Sequence, residues 1–196
     1  MYTFYYYTHL KYDEYSDYFK SIGFIDGNKD YLLSQVENNK KFCRNQEGID
    51  YNGFVESMKQ DDYVIFITPM DSEEILGACS ISINSPYYIM IQSICVPKNE
   101  YTGIGSLVLL KIKELTTTMG IFRIILSAEP PVQEFYIKNG YVRDLDNEDE
   151  ENLMFLRIGK GKIHKKNKKH SQKKGKYHKT FRKKKKKLFL LSHKKR

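Results

Sequence analysis

Apolar and polar positions alternate most sharply in the middle of the chain. From Ile75 to Ile83, Ile75, Gly77, Cys79, Ile81 and Ile83 fall on one side, and Leu76, Ala78, Ser80 and Ser82 on the other. This two-residue period predicts a strand with two distinct faces. Val64-Ile65-Phe66-Ile67 before it and residues 87–96 after it are β-branched and aromatic runs, closed by Pro69 and Pro97. Asn84-Ser85-Pro86 is a turn signal. Three strands joined by short turns predict an antiparallel meander.

The period then changes. Ile104, Leu107, Val108, Ile112, Leu115 and Met119 recur every three or four residues, the apolar stripe of a helix, with Gly120 placed to end it. Residues 121–127 predict a further strand. Pro130-Pro131 opens a short helix that runs to Asn139 and stops at Gly140. Tyr141-Val142 and residues 152–158 predict two last strands around an acidic loop, residues 144–151. Weaker patterns predict a first strand at 2–7 and helices near 11–21, 29–41 and 50–59. The fold class is therefore α/β (α+β), a mixed and mostly antiparallel sheet flanked by helices.

Charge divides the chain in two. Residues 159–196 hold 19 Lys or Arg and no acid, leaving 14 basic and 24 acidic residues in 1–158. The net charge of +9 thus hides a body near −10 and a basic tail. Two parts are expected: a folded domain over 1–158, and a Lys-rich tail over 159–196 with too little apolar surface to order itself. Clustered lysines with Tyr177, His178 and Phe181 between them suit a nucleic acid or another polyanion, and also suit a nuclear or nucleolar address. No apolar run is long enough to span a membrane, and no basic stretch precedes an apolar one at the start. An intracellular protein is expected, cytoplasmic if not nuclear. Cys43, Cys79 and Cys95 lack paired spacing, which predicts reduced, buried cysteines and no metal site.

Candidate chemistry sits where the third meander strand meets the long helix. Gly103-Ile104-Gly105 stands at the helix start, where unpaired N–H groups and the positive end of the helix dipole favour an anion. The run Glu100-Tyr101-Thr102-Gly103-Ile104-Gly105, followed about 30 residues later by Phe135-Tyr136-Ile137-Lys138-Asn139-Gly140-Tyr141, resembles the two linked motifs of the GNAT acetyltransferase superfamily. The resemblance covers residues 63–141. Glu100 stands where that family usually carries Gln or Arg, and Glu129 where it often carries Asn.

The resemblance implies an N-acetyltransferase that moves an acetyl group from acetyl-CoA to a primary amine: a protein lysine, an N-terminus or a small amine. It implies acetyl-CoA contacts from Ile94, Cys95 and Val96 on the strand. Further contacts would come from Glu100, Tyr101, Thr102, Gly103, Ile104, Gly105 and Ser106 on the loop and helix. A backbone N–H near Cys95 or Val96 would polarise the thioester carbonyl, and Tyr136 would protonate the departing thiolate. Residues 87–96 contain no acid to serve as base. Gln92, Ser93 and Glu129 are the polar groups at hand, with a structural role the simpler reading for each. The alternative function is a GNAT-like domain without chemistry, whose basic tail binds polyanions; a third is a scaffold that positions that tail.

Overall fold

Eight strands form one sheet in the order β2-β1-β3-β4-β5-β6-β8-β7. The computed structural model describes residues 1–38, 51–72, 74–96, 102–144 and 152–159. These all belong to one of two units, Met1–Gly161; of the other, Lys162–Arg196, no residue is described.

The strands are β1 Tyr2–Thr8, β2 Phe24–Asp26, β3 Tyr63–Pro69, β4 Gly77–Asn84, β5 Tyr88–Cys95, β6 Arg123–Ser127, β7 Val142–Arg143 and β8 Leu153–Arg157. The helices are α1 Ser16–Ser21, α2 Lys29–Asn38, α3 Tyr51–Gln60, α4 Ile104–Thr118 and α5 Pro130–Lys138. The predicted meander is present: β3, β4 and β5 pair antiparallel in succession. Two pairings are parallel, β1 with β2 and β5 with β6.

Each face of the sheet carries its own core. On one, Phe4, Tyr6, Phe19, Tyr63, Cys79 and Ile81 pack with Val108, Ile112 and Leu115 of α4. On the other, Tyr7, Val64, Phe66 and Ala78 pack with Val36 of α2 and Phe54, Val55 and Met58 of α3. The expected alternation in β4 holds from Gly77 onward. Ile75 is corrected: it packs in the α3-side core while Cys79 and Ile81 pack in the α4-side core, because the strand period begins only at Gly77.

Tyrosines of β1 and β3 tie the sheet to the segment before α1. The Tyr63 hydroxyl donates to Asp13 Oδ1 at 2.9 Å, and the Tyr6 hydroxyl lies 3.2 Å from Asp13 Oδ2. One carboxylate thus satisfies two phenols that close packing would otherwise strand.

Glycine ends α4 and α5 in the same way. Gly120 and Gly140 take the left-handed conformation, with φ of 68° and 88°. In α4, the Gly120 and Ile121 N–H groups donate to the Thr117 and Thr116 carbonyls; in α5, Gly140 and Tyr141 donate to Ile137 and Tyr136. Both are Schellman endings.

The cysteine expectation needs correction. Cys79 is free and buried, but Cys95 is disulfide-bonded, to a partner outside the described residues. Disulfides require Cα atoms within about 7 Å of each other in space, which spacing along the chain does not reveal.

Candidate active site

The sheet opens between β5 and β6. Their pairing covers only Ile89 with Ile124, Met90 with Ile125 and Ile91 with Leu126. β5 then runs on to Cys95, and β6 turns its other edge to β8 as far as Ser127 opposite Leu153. Backbone groups of β5 beyond Ile91 that point away from β4 therefore face a gap.

A bulge marks the start of that gap. Ile81 pairs with Ile91, but the next residue back on β4, Ser80, pairs with Ser93. Gln92 is the extra residue, and such a bulge turns a strand and re-aims its groups. Ile94 and Cys95 return to register opposite Cys79 and Ala78. Of the residues expected to contact the acyl donor on this strand, Ile94 and Val96 are half-buried and Cys95 is buried.

The N-terminus of α4 forms the second part. Gly103 is the N-cap in the left-handed conformation at φ 86°, and no side chain caps the helix. Its first-turn N–H groups are thus left for an external acceptor. Thr102 and Gly103 are exposed, Ile104 is buried, and Gly105 and Ser106 are half-buried. Glu100 and Tyr101 lie outside the described residues, as do most of the acidic loop and residues 160–196.

Gly105 has a different reason for being glycine than ligand approach. A Cβ there would stand 2.9 Å from Phe135 Cζ. The glycine lets α4 and α5 meet. Phe135 in turn packs edge-to-face on Tyr136, with centroids 5.1 Å apart. The two sequence motifs are thus physically joined.

Tyr136 is buried and packs edge-to-face on Tyr141 at 5.8 Å. This contact accompanies the Schellman ending, whose N–H of Tyr141 bonds the Tyr136 carbonyl at 3.0 Å. Burial pushes the Tyr136 phenol well above its ordinary range, with the nearby Cys79 thiol adding to the effect. Its hydroxyl has no hydrogen-bond partner among the described residues. Glu129, at the N-cap of α5, is exposed.

A chain of polar side chains that the sequence pattern did not single out ends at Ser93. Ser93 Oγ and Ser80 Oγ lie 2.6 Å apart, Ser80 Oγ and Ser57 Oγ 2.8 Å apart, and Ser57 donates to Asp61 Oδ2. Ser80 is fully buried, while the other three are half-buried. No motif announces such a chain, because its members come from α3, the turn after it, β4 and β5.

The sequence matches no protein-family model and no curated protein. Solved structures match in fold. The catalytic domain of Tetrahymena GCN5 histone acetyltransferase in complex with coenzyme A superposes with a TM-score of 0.54 at 15% identity, over 81% of this chain and 94% of that one. A second Tetrahymena GCN5 crystal structure gives 0.53 at 15% identity, over 66% and 88%. A Lactobacillus plantarum structure described as an N-acetyltransferase gives 0.50 at 16% identity, over 67% and 92%. With the opened β5–β6 pair, the bulge at Gln92 and the uncapped α4, these likenesses show that the chain has the fold of the GNAT N-acetyltransferases.

Proposed function

We propose that the domain transfers an acetyl group from acetyl-CoA to a primary amine. The observation that carries this reading is that α4 begins uncapped at Gly103, while β5, the strand before it, parts from β6 just past Ile91. Acetyl-CoA supplies an activated acyl carbon and a thiolate leaving group. Ile104, Gly105 and Ser106 would offer backbone N–H groups to its pyrophosphate, where the helix dipole favours negative charge. Ile94, Cys95 and Val96 would line the acyl arm, and a backbone N–H of this segment would bear the developing oxyanion. Tyr136, kept protonated by burial, would donate to the departing sulfur. Thr102, with Glu100 and Tyr101 of the same loop, would border the phosphates.

The body's charge near −10 supports a cationic acceptor such as a lysine side chain or a polyamine, since a field of opposite sign raises its local concentration. A second reading rests on the 19 basic residues of 159–196: binding of a polyanion through the tail, with or without catalysis.

The test is release of free CoA from acetyl-CoA by the full chain in the presence of spermidine, a lysine-bearing peptide or a small alkylamine. Amine-dependent release above the solution rate, lowered about 10- to 100-fold in Tyr136→Phe, supports acetyl transfer. Amine-independent or absent release contradicts it.

A further inference from the structure

We propose that Ser93, Ser80, Ser57 and Asp61 form a proton outlet for the acceptor amine, with Ser93 as the group that touches it. The inference rests on the acetyl-transfer reading and supplies the base that β5 itself lacks.

The direction of the chain follows from counting protons. An ionised carboxylate only accepts, and each serine hydroxyl has one proton to give. Ser57 gives its proton to Asp61. Its contact with Ser80 must then be one in which Ser80 donates. Ser80, its proton committed, must accept from Ser93. Ser93 is left with lone pairs and no further donor among the described residues. It stands two residues past the last β5–β6 pair, where the strands part. Successive donation toward a carboxylate polarises every bond in the same sense and makes the terminal oxygen a better acceptor.

Packing does not require these groups. Ala78, two residues before Ser80 on the same strand, fills the same core without a hydroxyl. Phe54, Val55 and Met58 already fix α3 to the sheet. A fully buried serine costs free energy unless it is bonded, so the hydroxyl at 80 calls for a use beyond filling space.

The step balances. The acceptor ammonium first passes one proton to Ser93 Oγ, which frees the lone pair that bonds to the acyl carbon; after attack a second N–H proton leaves with the CoA sulfur, which departs as the thiol. The Ser93 proton passes to Ser80, that of Ser80 to Ser57, and that of Ser57 to Asp61. Each serine ends neutral, and Asp61 ends as a carboxylic acid. Asp61 is half-exposed and returns the proton to water. Asp62 is its neighbour in sequence, and on β4 the buried Cys79 thiol is held up by burial and, to a lesser extent, by the Asp61 charge. On α3, the Lys59 ammonium is taken up by Glu37 and Glu56, leaving Asp61 to the serine chain. Ser57, Ser80 and Asp61 act through Ser93 and are positioning residues.

The experiment compares the full chain with Asp61→Asn and Ser80→Ala. Asp61→Asn keeps an oxygen for Ser57 but removes the proton acceptor; Ser80→Ala interrupts the chain in the middle. Acetyl-CoA binding is measured by calorimetry, and CoA release is followed with ethylamine and with N-blocked lysine amide from about pH 6 to about pH 10. Both variants are expected to bind acetyl-CoA as the parent does. Both should lose about 100-fold in kcat near pH 7, a typical share for general-base help. The loss should shrink as pH approaches the amine's own value of about 10.4, where the acceptor arrives neutral. Unchanged kcat and pH profile in both variants, with at most a lower melting temperature, would overturn the outlet and leave the chain a structural tie. A parent that binds acetyl-CoA but releases no CoA to either amine overturns the acetyl-transfer reading together with the outlet, whereas unchanged variants of an active parent overturn the outlet alone. A parent that does not bind acetyl-CoA overturns the acetyl-transfer reading, and the outlet with it.

Discussion

Phe135 Cζ stands 2.9 Å from where a Cβ on Gly105 would be, so α4 and α5 touch through a single missing methyl group. The ring is held against Tyr136 and has little freedom to retreat. Gly105→Ala gains up to about 1 kcal/mol of helix propensity, and overpacking costs about 1–3 kcal/mol. The net expectation is a lower melting temperature and, because Phe135 leans on Tyr136, a lower kcat. Gly105→Ala combined with Phe135→Leu should recover most of the stability. Calorimetric melting of the three proteins checks this, and an unchanged Gly105→Ala would show that the helices have slack.

Tyr141 presents a different case. Its hydroxyl is enclosed and has no hydrogen-bond partner, one of two such side-chain groups among the described residues, with Thr68. A stranded buried hydroxyl costs about 1–3 kcal/mol. Tyr141→Phe is therefore expected to stabilise the fold by about 1 kcal/mol and to leave acetyl-CoA binding intact. Urea unfolding measures it. A loss of stability would mean that the hydroxyl is satisfied in solution.

Tyr136→Phe separates the neighbouring ring by function. Removing the phenol should lower kcat by about 10- to 100-fold with little change in stability, since its hydroxyl bonds nothing among the described residues. Burial raises the phenol's pKa, so the protonated donor persists above the ordinary value of about 10. The kcat profile of the parent should accordingly show no alkaline fall from this group below about pH 10. A fall at lower pH that disappears in Tyr136→Phe would contradict the assignment.

Stability itself should fail in alkali. Burial raises the phenols of Tyr6, Tyr7, Tyr63, Tyr136 and Tyr141 above their unfolded value. Above about pH 10 the unfolded chain has released protons that the folded chain keeps, so stability decreases with rising pH from there toward the folded values. Below that point these groups contribute no slope. The urea midpoint should be insensitive to tyrosine ionisation up to about pH 9 and fall steeply beyond about pH 10, in step with tyrosinate absorbance. A midpoint that stays flat through that window would place these phenols in water.

Much of this arrangement was legible in the chain. The alternation of β4 and the helical stripe of α4 each bury one face, and burial of one face is what a sequence period records. The glycines at 120 and 140 marked helix ends because only a left-handed residue closes them cheaply. β2 escaped notice because a three-residue parallel strand leaves no period to read. α1 covers only the last six residues of the expected 11–21 helix. Gly105 was legible as a glycine that mattered, but its partner, Phe135, is named only by the packing of two helices. The serine chain was invisible for the same reason. Ser93 alone had been in view, as a residue on the right strand, and its meaning depends on three side chains brought to it by the fold.

Binding of acetyl-CoA to the full chain, measured by calorimetry beside Thr102→Glu, tests the central claim most directly. Thr102 is exposed, and an acid just before α4 suits the helix dipole while repelling a pyrophosphate. The account predicts saturable, one-to-one binding by the parent and a loss of about tenfold or more in the variant, with no loss of melting temperature. A folded parent that takes up no acetyl-CoA, or a variant that binds it equally well, would contradict a donor site at the N-terminus of α4.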